Sequence, residues 1–132
     1  MHTVRILSCG LLLLAVTVSP VRADDPCLGD EEEKSAKAAV AALTKAEQAG
    51  RPAELFVTYR SILGNDCLDR YDRTALSRAK SALPKLGREL AKAAEVKGLW
   101  YSPDPVRGDG KTSAFRYFET IGDYADANRV MM

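Results

Sequence analysis

The sequence predicts an all-α protein, with antiparallel helical hairpins stacked in a small bundle or short repeat-like array and a cleaved signal peptide in front of them. Three observations carry that reading. Apolar residues recur at threes and fours through several stretches, Gly and Pro stand mostly between those stretches, and no alternating strand pattern of useful length occurs anywhere.

Residues 1–23 hold Arg5, an uncharged run from Ile6 to Pro20 centred on Leu11 to Leu14, and then Val21-Arg22-Ala23 before the acidic pair Asp24-Asp25. That order reads as a secretory signal with small side chains at the cleavage point. A membrane span needs about 20 apolar residues, and this run is shorter and interrupted by Ser8, Gly10, Thr17 and Ser19. Cys9 precedes most of the apolar run, which argues against lipidation there. The expected mature chain is a single domain, residues 24–132, periplasmic or secreted, with no stable membrane insertion after cleavage.

Its 17 basic and 18 acidic residues give a formal net charge of −1, without the positive field that nucleic-acid binding usually requires. The charges are unevenly placed. Acidic side chains crowd residues 24–33, whereas 68–97 is basic.

The first helix is expected over 31–49, opened by a capping box of Asp30 and Glu33 and stopped by Gly50, with Ala36, Ala39, Val40, Leu43 and Ala46 on one face. A second runs from Pro52 to about Leu63, burying Leu55, Phe56, Tyr59, Ile62 and Leu63, and ends at Gly64-Asn65-Asp66. The short link at Gly50 favours an antiparallel hairpin, which leaves Cys27 and Cys67 together at its open end. With Cys9 removed, those are the mature chain's two cysteines, and an oxidising compartment makes one intramolecular disulfide the natural inference. Free thiols or an intermolecular bridge are the alternatives.

Residues 68–97 read as helix throughout, with Leu68, Leu76, Ala79, Leu83, Leu86, Leu90 and Ala93 in phase. One helix kinked at Pro84 is favoured, and Gly87 keeps two helices joined by a turn as the alternative. Arg78, Lys85, Arg88 and Lys92 share the opposite face. Residues 99–111, with Pro103, Pro105, Gly108 and Gly110, form a loop of about 13 residues, a length often functional or mobile. A last helical segment begins near Thr112 or Ser113, breaks at Gly122-Asp123 and resumes at Tyr124.

Histidine bounds the chemistry, because His2 is the chain's single one and leaves with the signal. Histidine-based nucleophilic catalysis, His-ligated zinc and haem attachment are thereby excluded from the mature chain, and no cofactor or metal is expected. Gly108-Asp109-Gly110-Lys111-Thr112 lacks the first glycine of a phosphate loop, since Pro105 stands there, and Asp104 and Asp109 fail calcium-loop spacing. Arg107-Gly108-Asp109 matches a cell-adhesion tripeptide, which three residues are too few to support.

Six of the nine aromatics fall between residues 100 and 124. They are read mainly as core between the loop and the last helices, with Phe115, Phe118 and Ile121 on one face and Tyr117 pointing outward. Trp100, Tyr101 and Tyr117 join the four basic side chains as candidate contacts for a protein or peptide partner.

Residues 114–127, which contain Gly122-Asp123-Tyr124 and then Ala127, resemble the middle of a tetratricopeptide repeat, where a Gly-Asp-Tyr-like turn joins two helices and a small residue three positions on packs them together. Residues 46–55 followed by Tyr59 echo the pattern, with Pro52 and Leu55 in place of the expected Tyr and Ala. The resemblance implies stacked helical hairpins that bind peptides or proteins and implies no reaction. The helix-one Trp and Leu-Gly pattern of the family is missing here. The expected function is an exported interaction module of the cell envelope and not an enzyme. The alternatives are a cell-wall hydrolase using a carboxylate such as Glu119 near the aromatics, and a structural envelope subunit, suggested by the apolar end Val130-Met131-Met132.

Overall fold

The computed structural model describes residues 26–132, so the expected signal segment lies outside the described residues. Those residues form six helices and no strand: α1 Asp30–Ala49, α2 Pro52–Leu63, α3 Leu68–Tyr71, α4 Arg73–Val96, α5 Ala114–Thr120 and α6 Tyr124–Met131. None is long and apolar enough to cross a membrane.

The first helix starts one residue earlier than its capping box requires. Gly29 is the N-cap and its carbonyl accepts from Glu33 N–H at 3.2 Å, while no side chain caps the helix. Asp30 therefore sits inside the first turn with Glu31, Glu32 and Glu33, where four carboxylates favour the positive end of the helix dipole. Gly50, with φ 67, closes the helix through a bond to the Ala46 carbonyl. Only Ala36 and Leu43 of α1 are fully buried. The bounds of α2 are those expected, and Phe56, Tyr59 and Ile62 make its buried face with Leu55 and Leu63 flanking it.

Residues 68–97 are not one helix. The chain makes a single turn, α3, then leaves helical geometry at Asp72 (φ −156, ψ 88), whose carboxylate accepts from Ala75 N–H at 3.0 Å and so caps α4. From there α4 runs unbroken through Pro84. Its buried row is Ala75, Ala79, Leu83, Gly87, Ala91 and Ala94, with Leu76, Leu86 and Leu90 partly buried beside it. Ala93, expected on that face, is exposed. A row of mostly small residues spaced by four lets neighbouring elements approach the backbone closely. Gly87 marks the closest approach: a Cβ there would stand 2.4 Å from Ile121 Cγ2 and 2.9 Å from Phe56 Cε1. This glycine is thus a packing notch in mid-helix, not a turn.

The longest helix is also the hub. Helices α2, α3 and α5 pack on α4, α1 packs on α2 and α3, and α6 packs on α5. Phe56 of α2 meets Tyr117 of α5 edge to face at 5.2 Å, which joins the two sides of the core. Tyr117 is 2% exposed, so its expected outward position is wrong. The buried set of α5 is Ala114, Tyr117 and Phe118, with Phe115 turned aside to stack on Tyr101 at 5.1 Å.

Residues between α4 and α5 lack regular structure yet are tied down. Leu99 and Trp100 carbonyls accept from Ala114 and Phe115 at 2.8 and 3.0 Å, and the buried Thr112 hydroxyl bonds both the N–H and the carbonyl of Arg107. Arg116 donates to the Pro103 and Asp104 carbonyls at 2.6 and 3.2 Å and to Glu119 at 2.8 Å. At the opposite end of the molecule Cys27 and Cys67 form the expected disulfide, and the Tyr71 hydroxyl donates to the Cys27 carbonyl.

Candidate functional site

Arg78, Lys85, Arg88 and Lys92 all lie exposed along α4. Their surroundings differ. Arg78 reaches Glu47 of α1 at 3.2 Å, and the other oxygen of that carboxylate accepts from the Tyr59 hydroxyl at 3.1 Å, so three helices share one polar junction. Burial and then the Glu47 bond push the Tyr59 phenol above its ordinary pKa. Arg88 leans toward Asp123 at 4.0 Å, and Lys92 helps hold the Asp126 carboxylate in its charged form. The two arginines thus face neighbouring elements, and Lys85 and Lys92 stand two helical turns apart, about 10 Å.

A second surface lies where α4 gives way to the loop. The large hydrophobic side chains exposed among the described residues are Leu28, Val96, Trp100, Tyr101, Tyr124, Met131 and Met132. Four of them, Trp100, Tyr101, Met131 and Met132, line one open cleft with Gly98, Arg129 and Val130. Trp100 is 48% exposed although its carbonyl is fixed to α5, and Tyr101 is 54% exposed although its ring rests on Phe115. The Tyr101 ring and the Trp100 backbone are thus positioned before anything binds, which lowers the entropy lost on contact.

The cation at this cleft is neutralised. Arg129 donates to both oxygens of Glu95 at 2.9 and 3.2 Å and to Asp126 at 2.9 Å, with its guanidinium 5.9 Å from the centre of the Phe118 ring. The remaining side chains are aromatic, aliphatic and thioether, suited to apolar groups of varied shape, although polar atoms share the exposed lining with them. Its thioethers come from the apolar C-terminal end that was legible in sequence, but their pairing with Trp100 and Tyr101 spans 30 residues and no local pattern announces it.

Other sequence-predicted groups are engaged elsewhere. Tyr117 is enclosed in the core, where burial raises its pKa against a smaller opposing effect from Thr112. Glu119 is held by Arg116 in the clamp that carries the loop. In the adhesion-like tripeptide, Arg107 bonds Asp104 at 3.3 Å and lies 3.7 Å from Asp109, so its two charged ends face each other. Among the described residues no three metal-ligating side chains gather. No protein-family model, curated protein or solved structure matches the chain.

Proposed function

We propose that residues 24–132 act as an exported helical interaction module of the cell envelope that holds a protein or peptide partner at the cleft of Trp100, Tyr101, Met131 and Met132. The observation that carries this reading is the convergence of four exposed apolar side chains on one cleft, one of them Tyr101, whose ring rests on Phe115. Exposed apolar clusters on small proteins mark interaction sites more often than chance surface. The disulfide and the apolar segment 6–20 support export, because disulfides persist in oxidising compartments. Stacked helical hairpins remain the architectural reading, supported by Gly122 at the α5–α6 turn and by buried Ala127 three residues after Tyr124.

Affinity capture from an envelope extract with the oxidised chain tests this, using Trp100→Ala/Tyr101→Ala and Arg88→Glu/Lys92→Glu as comparators. The aromatic double variant should lose a discrete protein partner, since truncating a buried aromatic anchor weakens binding by about 2 kcal/mol or more, roughly thirty-fold. Loss only on charge reversal would move the site to the basic face. A partner kept by both variants would sink the proposal for either surface.

A further inference from the structure

Once the expected signal segment is removed, the chain keeps no free thiol, because Cys27 and Cys67 are joined and Cys9 lies in that segment. The side chains most open to oxygen-atom transfer are then the thioethers. Among the described residues these are Met131 and Met132, neighbours in sequence that both line the cleft of Trp100 and Tyr101. Met131 is 53% exposed and Met132 fully so. Their place on α6 matters. Val130, one position earlier, is buried with Ala127 and faces the core, so the thioethers belong to the cleft and not to the packing. We propose that Met131 and Met132 are a paired oxidation site through which peroxide closes the cleft to apolar partners.

The step is an oxygen-atom transfer. A lone pair on the thioether sulfur attacks one oxygen of hydrogen peroxide, the O–O bond breaks, an S–O bond forms, and the other oxygen leaves as water after a proton shift within the peroxide. Sulfur loses two electrons and the peroxide gains them. A polar, chiral sulfoxide replaces a flexible apolar side chain. Two of the four exposed apolar side chains of the cleft change in this way, and no buried residue does. Oxidation therefore alters recognition and spares the fold. Its effect on a partner deepens the proposed function and rests on it, whereas the modification and the change it makes in the cleft are properties of the chain alone.

Hydrogen peroxide added to the disulfide-bonded chain, residues 24–132, with no partner present, is the deciding experiment. Peptide mass spectrometry should find one added oxygen on each of Met131 and Met132, gained within about three-fold of the rate of free methionine in the same reaction, because exposure governs susceptibility. An anilinonaphthalene dye, the apolar probe, should lose fluorescence several-fold over the same time course. Trp100, the chain's single tryptophan, should shift its emission to longer wavelength as the cleft becomes polar, while the urea midpoint stays where it was. Met131→Leu/Met132→Leu keeps an apolar lining without sulfur and should hold both optical signals through the treatment. Signals that survive full sulfoxide formation would overturn the proposal, and so would their loss in the leucine variant, a fallen urea midpoint, or a dye that never binds the untreated chain. Capture of a partner by the untreated chain tests the proposed function separately, so the two readings can fail apart.

Discussion

The two flanks of α4 solve one problem differently. On the N-terminal flank, α1 is an alanine-rich helix with two fully buried side chains, Ala36 and Leu43, and the chain before it is bonded covalently to Cys67. On the C-terminal flank no covalent tie exists among the described residues. Aromatic packing of Tyr117 and Phe118, the Arg116 clamp on the loop and the Arg129 fork hold α5 and α6. A helix that buries little needs help that burial does not supply, and each flank draws that help from a different source. Their sensitivities should differ accordingly: the first to reductant, the second to salt and pH.

The largest expected effect breaks the comparison on its covalent side. Cys27→Ser/Cys67→Ser removes a link between residues 40 apart in sequence and should destabilise the fold by roughly 4 kcal/mol in the chain-entropy model, read from urea unfolding. Dithiothreitol on the unaltered protein should give the same midpoint. A loss that fell equally on α1 and α6 by residue-resolved exchange would show that the flanks are not separable. Next comes the notch where the flanks meet. Ala for Gly normally favours a helix interior by about 1 kcal/mol, but the Cβ of Gly87→Ala would intrude on Ile121 and the rigid Phe56 ring, so a net loss of about 1–3 kcal/mol is expected. A stabilised variant would mean that the helices can part there freely.

Alkali offers a third, conditional test. Tyr59 and Tyr117 have raised pKa values, chiefly from burial, so the fold favours their neutral forms. Their contribution is intact below the unfolded phenol value of about 10 and is lost as pH rises through the higher folded values. Unfolding followed by tyrosinate absorbance should therefore begin above about pH 10. Tyr117→Phe should move that onset upward while leaving stability at neutral pH within about 1 kcal/mol of the parent. An unchanged onset would place the alkaline weakness outside the Phe56–Tyr117 seam.

Much of this is legible in the sequence. Pro52 and Gly64 punctuate α2, and Gly122-Asp123 marks the α5–α6 turn, because these residues impose backbone geometry locally. The disulfide followed from cysteine arithmetic and one short link. The break at Asp72 is hidden from periodicity because Leu68 and Leu76 stay in helical phase across it; its signal is the aspartate itself, a strong N-cap residue. The side of Tyr117 is not decided by sequence, because a seven-residue helix offers two apolar stripes and only the α2 and α4 neighbours choose between them. The cleft was half legible: exposed Trp100 and Tyr101 were candidates, but Met131 and Met132 reach them through tertiary packing.

The smallest effect sharpens the ionic side of the comparison. The Arg129 bond holds the Asp126 carboxyl below its ordinary pKa, with the positive charges of Arg129 and Lys92 adding to it. A depressed folded value means that the stabilisation is present above the unfolded aspartate pKa of about 3.9 and disappears as pH falls through the lower folded one. Between about pH 5 and 8 nothing should change at this site, and weakening of α6 should set in only below about pH 4. A carboxyl titration by NMR should find the Asp126 midpoint below the ordinary range, and Arg129→Gln should bring it back toward it. Because the group is exposed to solvent, global stability should hardly register the substitution. A midpoint indifferent to Arg129→Gln would show that this arginine does not set the charge of Asp126 and would leave its fork on Glu95 as the one ionic contact it makes from α6.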